Sequence, residues 1–494
     1  MTNAPDINHK ASYPITVHHI AYHAGRVPEA IAIIDHGKAF SYEVFYRDIC
    51  KMIAAFKEFE IKTNQAVAVE FLPTHDNLAS FYFHWITLLA LEAYGVATMS
   101  YTKEEAWCLE ELRDTFDLVM TFDTDATMDK TRHHTMSGDW LRHVMSLQPV
   151  SSFSQSTIKP EAHCRIIKSS GTTGQMKYMY RSFENQDFIY RNAQFRGGYT
   201  RQSRYFATMG FSVSAVHAAA TTCIQAGGAC VYDSRESAGD VLSKYAITHA
   251  SFLLHSLTQV MDSLPDHYLK PPNLRLLTIG SAISIPFRTR VLDKLATSVA
   301  ETYGANECST VSTMDADGNG VILPGVDIEI VDDNGALLIG APGWVRVRSL
   351  GSVRGYIGNP EATQKMFKNG WFYPGDIAIL REDRTLQLVG RGDDILNIQG
   401  LKYAPQELEY HLLDVLPIEE VCVLTCPDDE GIDRAVIVIV PKTDNDQGRI
   451  SENLPALIPR IFGDTRLVFV SALPRTSSGK VQRGNVREMV SIRS

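Results

Sequence analysis

The 494-residue chain lacks the marks of several protein classes. It has no uninterrupted apolar run of membrane-spanning length. Its most apolar stretch, residues 81–99, is broken by His84 and Glu92 and reads as a buried core helix. Its eight cysteines include no Cys-x-x-Cys pair, and Cys422 and Cys426 fall within one apolar, strand-like run. That pattern argues against a disulfide framework or zinc site and makes a reducing cytoplasm the expected location. Basic residues are scattered, so no polybasic tether to a membrane is expected. A net charge of −10 argues against nonspecific nucleic-acid binding. The opening residues Met1-Thr2-Asn3-Ala4-Pro5-Asp6 lack the basic-then-apolar order of a signal peptide. Internal repeats and low-complexity tracts are also missing.

What is present is ordinary for a globular protein: 45% hydrophobic and 21% charged residues, in a length that suits two or three domains. Short apolar runs at 30–34 and 66–69 adjoin helix-like stretches such as 42–56, a pattern of parallel strands covered by helices. Residues 326–331, the Asp332-Asp333-Asn334-Gly335 turn and 336–338 read as a hairpin, and 344–348 also alternates. A small β subdomain is therefore expected over about 320–390. A boundary near 390–394 precedes a second α/β pattern: helix at 405–416, strands at 420–425 and 434–440, helix at 452–462. The expected fold is α/β, with a large N-terminal body over 1–391 and a small mobile α+β lid over 392–494.

Two loops point to phosphate chemistry. Lys168-Ser169-Ser170-Gly171-Thr172-Thr173-Gly174-Gln175-Met176-Lys177 sets hydroxyls between two glycines and closes on a lysine. Such a loop can wrap a polyphosphate, hydroxyls and N–H groups donating while Lys177 neutralises charge. Ile166-Ile167 feeds directly into it, and a second apolar run, 274–279, feeds into Gly280-Ser281-Ala282. Loops after the carboxyl ends of parallel strands are where such folds bind ligands. Near the chain's end, Pro474-Arg475-Thr476-Ser477-Ser478-Gly479-Lys480 places a lysine on a glycine-containing turn. It is not a nucleotide P-loop, since the upstream glycine spacing is missing and Val481 stands where a Mg²⁺-binding hydroxyl would be needed.

Four further segments lie between these loops: Tyr303-Gly304-Ala305-Asn306-Glu307, Gly370-Trp371-Phe372-Tyr373-Pro374-Gly375-Asp376, Gly390-Arg391-Gly392-Asp393-Asp394, continuing to Gly400, and Pro405-Gln406-Glu407-Leu408-Glu409. In this order the six segments resemble the adenylate-forming superfamily: acyl-CoA synthetases, adenylation domains of peptide synthetases and firefly-type luciferases. The resemblance runs from Phe40 to Lys480. It implies that a carboxylate attacks the α-phosphate of MgATP, giving an acyl-adenylate and pyrophosphate, after which a thiol displaces AMP.

The resemblance also implies roles. Lys480 would bridge the carboxylate and α-phosphate oxygens. Ser169, Ser170, Gly171, Thr172, Thr173, Gly174 and Lys177 would hold the terminal phosphates, and Glu307 would bind Mg²⁺. Tyr303 would offer adenine a flat face, with Gly304 allowing close backbone approach, Asn306 donating to phosphate, and Gly280, Ser281 and Ala282 nearby. Asp376 would receive the ribose hydroxyls beside Arg391. Asp393 would be the hinge and Gly400 would line the thiol tunnel. This chain departs from the family with Met176 and Tyr178 around Lys177 and with Asn306 in place of threonine.

The acid pocket is expected at Phe211, Ser212 and Ser214. The α-amino-acid adenylation domains carry an aspartate where this chain has Ser212, and burying an unpaired ammonium would cost roughly 3–5 kcal/mol. An aryl or aliphatic acid is thus expected rather than a free α-amino acid. The acceptor thiol is either CoA or a carrier protein's pantetheine. With no domain after Ser494 a stand-alone ligase is expected; the distant alternative is a luciferase-type oxygenase, whose Ser-Lys-Leu-like ending the chain lacks.

Overall fold

The computed structural model describes residues 14–72, 80–122, 133–151, 158–170, 176–207, 209–265, 268–279, 283, 285–315, 318–394, 396–398, 401–403, 405–427, 433–458, 462, 465–475 and 481–491. It is a mixed α/β protein with a large N-terminal body and a smaller C-terminal domain.

One sheet of six strands runs in the order His133–Thr135, Leu118–Thr121, Ala66–Glu70, Ala97–Tyr101, His163–Ser170, Met176–Ser182. The first five strands pair in parallel and the last is antiparallel, so His163–Ser170 and Met176–Ser182 form a hairpin at the sheet edge. Ala66–Glu70 and Ala97–Tyr101 are buried at every position, as strands covered on both faces must be.

A second sheet of fifteen strands contains a parallel block: Ile31–Asp35, Ala229–Tyr232, Arg204–Ala207, His249–Leu253, Arg275–Ile279 and Ser298–Ala305. At Ser298–Ala305 the pairing turns antiparallel and continues through the β-rich part of the body. The core lies under the helices between these sheets, around Trp85, Phe45, Phe56 and Phe211. Helix Tyr42–Phe56 follows the expected periodicity. Its N-cap Ser41 accepts from Val44 N at 3.3 Å, and Phe45, Ile49, Met52 and Phe56 form its buried face.

Two expected elements are corrected and a third is shorter than expected. Residues 81–99 are not one helix: Ser80–Ala93 is helical, Gly95 turns with φ +69°, and Ala97–Tyr101 is a buried strand. An all-apolar run carries no period to separate the two states. The hairpin at Asn334-Gly335 is present but short, with Asp332 N donating to the Ala336 carbonyl and Leu338 N to the Ile330 carbonyl around a bridge between Val331 and Leu337; the ladder partner of Val326–Val331 is Gly343–Ser349. The helix expected at 452–462 is Asp446–Leu457, with Pro455 inside its last turn.

The C-terminal domain has its own three-stranded sheet, Ile418–Pro427, Asp433–Pro441 and Arg466–Phe469. Alternate residues feed two small cores. Ile437 and Ile439 pack with Leu408 and Leu412 of helix Pro405–Val415. Val436 and Val438 pack with Val486 and Val490 of helix Arg483–Ser491.

Candidate active site

The segment expected to hold phosphate joins the two strands of the edge hairpin: Ser169 pairs with Lys177 and Ser170 with Met176, while Gly171, Thr172, Thr173 and Gly174 lie outside the described residues. Lys177 Nζ sits 5.0 Å above the Tyr356 ring. The Tyr356 hydroxyl donates to Glu307 Oε1 at 3.0 Å, and Val353 N donates to the Glu307 carbonyl at 2.8 Å. Burial, then the Glu307 carboxylate, pushes the Tyr356 phenol up, so it stays a donor. Glu307 is buried, and the phosphate-loop lysine and the expected metal ligand rest on opposite ends of one tyrosine. One hard carboxylate, linked through Tyr356 to Lys177, is a ligand that fits Mg²⁺, which completes its shell with phosphate oxygens and water. Among the described residues no cluster of three or more His, Cys, Asp or Glu could bind a metal without such help.

The departures beside Lys177 have structural uses. Tyr178 is buried and donates to Glu111 Oε2 at 2.6 Å, while its carbonyl accepts from Ile357 N at 2.7 Å. Asn306 Nδ2 donates to the Lys168 carbonyl at 2.8 Å. At least one of its N–H groups thus ties the Glu307 loop to the hairpin rather than pointing at phosphate.

The ribose corner forms where two strands pair. Asp376 and Arg391 are directly opposite each other, with Oδ1 and Nη1 3.4 Å apart. Arg391 Nη2 also donates to the Pro374 carbonyl at 2.9 Å, and the Tyr303 hydroxyl donates to Asp376 Oδ2 at 2.6 Å. Burial and the Asp376 charge raise the Tyr303 pKa well above the phenol range. Gly304 is required by the chain's own packing, because a Cβ there would lie 2.2 Å from the Ser309 carbonyl oxygen. Gly280, Ser281 and Ala282 lie outside the described residues, but Ile283 just beyond them donates its N–H to Glu301 at 3.0 Å.

On the acid side, the Phe211 ring is in the body core, its centroid 4.8 Å from Trp85 in an edge contact. Ser212 is half-buried. Ser214 starts helix Ser214–Gln225 and accepts a hydrogen bond from Arg181 Nη1. Arg181 Nη2 donates to the Asn306 carbonyl at 3.0 Å, and its cross-strand neighbour Arg165 donates to the Phe211 carbonyl at 3.1 Å. Sequence reasoning missed Tyr356, Arg165 and Arg181. Both arginines stand in the strands flanking the expected phosphate loop, but each strand carries a lysine as well, so no local pattern singles them out.

At the domain junction, Asp393 occupies the short 3₁₀ turn Gly392–Asp394. Gly392 is pinned by its N–H to the Gly375 carbonyl at 2.8 Å. A Cβ on Gly392 would lie 2.1 Å from the Trp344 ring. Asp394 lies 3.6 Å from Arg483, which also grips Glu409 at 2.6 Å. Lys480 and Gly400 lie outside the described residues; Lys480 falls inside the loop closed by the Arg475–Val481 bridge.

The AMP-binding enzyme family model matches residues 20–357, and the model of the AMP-binding enzyme C-terminal domain matches 407–480. The chain belongs to the AMP-binding enzyme family. It is 34% identical over 175 residues to a 3-hydroxybenzoate–CoA ligase of Aromatoleum sp. (strain CIB), a match covering 34% of each chain. It is 26% identical to the fatty acid–[acyl-carrier-protein] ligase MmaC of Mycobacterium marinum, over 53% of this chain and 55% of that protein. The chain thus matches only about a third to a half of the length of these curated relatives. Among solved structures, ATP-bound MatB from Rhodopseudomonas palustris superposes with a TM-score of 0.82 at 19% identity, covering 96% of this chain and 99% of that one. The o-succinylbenzoate CoA synthetase MenE from Bacillus subtilis, bound to its acyl-adenylate, gives 0.79 at 19% identity, over 95% and 97%. At such identity the likeness speaks for the fold alone.

Proposed function

We propose that the protein activates a carboxylic acid with MgATP and passes the acyl group to a pantetheine thiol. In the first step a carboxylate oxygen bonds to the α-phosphorus and the bond to the β-phosphate bridge breaks, releasing pyrophosphate. In the second, a thiolate attacks the acyl carbon and AMP leaves with the bonding pair. The observation that carries this reading is the Lys177–Tyr356–Glu307 contact series, supported by a ribose corner of Asp376, Arg391 and Tyr303.

In this scheme Lys177 and the hairpin tip with Ser169, Ser170, Gly171, Thr172, Thr173 and Gly174 hold the β- and γ-phosphates. Lys480 bridges the reacting oxygens, and Glu307, oriented by Tyr356, is the protein ligand of Mg²⁺. Bound there, the ion neutralises phosphate charge as pyrophosphate departs. The body, 1–391, carries these groups except Lys480. The lid, 392–494, turns about Asp393 so that Lys480 serves the first step and the tunnel at Gly400 the second.

The acid is aryl or aliphatic rather than an α-amino acid. The segment Phe211 to Ser214 supplies no carboxylate and instead meets Arg181 and Arg165, which repel an ammonium. CoA is the favoured acceptor, in keeping with the aryl–CoA ligase similarity; the MmaC similarity supports a carrier-protein pantetheine as the second reading. A cytoplasmic setting fits, and among the described residues no helix is long and apolar enough to cross a membrane.

The test is pyrophosphate release from ATP across a panel of acids, followed by CoA or a pantetheinylated carrier. Acid-dependent release with aryl or aliphatic acids and none with α-amino acids is expected. Release independent of any acid, or turnover restricted to α-amino acids, would overturn the reading.

A further inference from the structure

Arg165 and Arg181 are cross-strand partners at the inner end of the phosphate hairpin, 6% and 2% exposed. Arg165, Ile167 and Ser169 face Arg181, Met179 and Lys177 in unbroken register. Alternate residues of a strand share a face, so the arginines lie on the face that carries Lys177 at its mouth, about 14 Å further in.

Their hydrogen bonds among the described residues go to neutral acceptors: Ser214 Oγ, the Asn306 carbonyl and the Phe211 carbonyl. Elsewhere in the body, buried Arg288 is paired with Glu301, the usual arrangement. Among the described residues neither Arg165 nor Arg181 has such a carboxylate partner, and Arg181 Nε has no partner at all. Burial, and then Arg165, lowers the Arg181 pKa to about 10. Two like charges held together in a core are costly without a counter-ion.

Beside Arg165 lies a cavity of about 40 Å³. Trp85, Glu92, Gln186, Asp187, Tyr190 and His217 line it with Arg165, and Arg181 is not on its wall. The Trp85 indole N–H and the Gln186 amide are buried without partners among the described residues. Glu92 accepts from Thr16 N at 3.1 Å, and burial raises its pKa to about 7, so it supplies only part of the missing charge. The cavity has room for about three water-sized groups, enough for an oxyanion and too small for an aryl ring. Its donors, Arg165, Trp85 and Gln186, are of the kind an oxyanion requires.

We infer that Arg165, backed by its cross-strand partner Arg181, forms a specificity site for a second oxyanion on the acid substrate, a dicarboxylate whose other carboxylate is adenylated. This deepens the adenylation reading and rests on it for the reacting end. A bidentate, desolvated guanidinium–carboxylate contact discriminates strongly against an acid that lacks the group.

The experiment pairs dicarboxylic acids of increasing length with monocarboxylic acids of equal carbon number. It measures both pyrophosphate release and the thermal shift each acid induces without ATP, on wild type, Arg181→Met and Arg181→Lys. A preference of about a hundredfold in kcat/KM for one dicarboxylate is expected. Arg181→Met should bring the dicarboxylate-to-monocarboxylate ratio of kcat/KM close to one, whatever common fall in rate follows from losing its Asn306 and Ser214 bonds, and Arg181→Lys should restore part of the ratio. Preference for monocarboxylates in the wild type, or an unchanged ratio in Arg181→Met, would overturn the site. Should Arg181→Met not fold, the wild-type thermal shift decides: a shift confined to the dicarboxylate supports the site, and equal or absent shifts overturn it. A dicarboxylate-specific shift with no pyrophosphate from any acid would overturn the reaction reading and uphold the site.

Discussion

The proposed nucleotide end of the site and its proposed acid end meet on one hairpin, through Lys177 and through Arg165 and Arg181, and satisfy their polar groups differently. At the nucleotide end the charged groups already have partners. Glu307 has Tyr356, Asp376 has both Tyr303 and Arg391, and Lys177 lies over an aromatic face. At the acid end, about 14 Å along the same strands, two guanidiniums meet only neutral oxygens, and the buried Trp85 and Gln186 have no partners among the described residues. Preorganised groups suit a ligand that is the same in every turnover. Unmatched groups are costly to bury, and their cost is offset when the right substrate supplies the missing charge.

The largest expected effect comes from Lys480→Ala. Adenylate formation should fall by roughly two to three orders of magnitude, while thioester formation from supplied acyl-adenylate persists. Half-reaction assays separate these, and equal loss of both would point to misfolding. Next is Asp376→Asn, which keeps the shape and removes the charge from the ribose corner. It should reduce kcat/KM for ATP by about ten- to a hundredfold and leave the choice of acid unchanged. An altered acid preference would break the division between the two ends.

A smaller effect is expected of Tyr356→Phe, which retains the ring under Lys177 and removes the hydroxyl from Glu307. The Mg²⁺ concentration for half-maximal activity should rise about tenfold, the lower end of the worth of a hydrogen bond to a carboxylate. Tyr356→Leu should do more because it also removes the cation–π contact. Unchanged magnesium dependence in both would exclude Tyr356 as the orienting group.

The smallest effect concerns the acid end alone. Glu92 is held above its usual carboxyl range, at about 7, by burial. The folded state therefore binds a proton that the unfolded state has released between about pH 4.5 and 7. That contribution to stability is fully present below the unfolded pKa and is lost as pH rises through about 7. Glu92→Gln should remove this component, flattening the fall of Tm between pH 5 and 7.5 by the equivalent of about 1–2 kcal/mol. Identical pH profiles for the two proteins would show that Glu92 is ionised throughout.

Much of the fold was legible in the residues. Helix Tyr42–Phe56 and strands Ala66–Glu70, Arg275–Ile279 and Ile418–Pro427 fall where periodicity or apolar runs put them. The failures were local and physical. Residues 81–99 hide a helix and a strand because both are buried all round. The 326–338 segment has a sound turn signal, yet Gly343–Ser349 offers Val326–Val331 a longer partner.

By itself the sequence determined the order of the motifs proposed to bind nucleotide, because a polyphosphate loop, a magnesium carboxylate and a ribose carboxylate each need particular residue types at short range. Only the tertiary structure decided what joins them. Tyr356 lies 49 residues from Glu307 along the chain, and the ring that carries Lys177 is the one that binds this carboxylate. Arg181 lies 125 residues from Asn306, yet it ties the metal loop to the acid segment. Such contacts depend on which strands become neighbours. Strand adjacency is set by burial of the whole core, which no local pattern encodes.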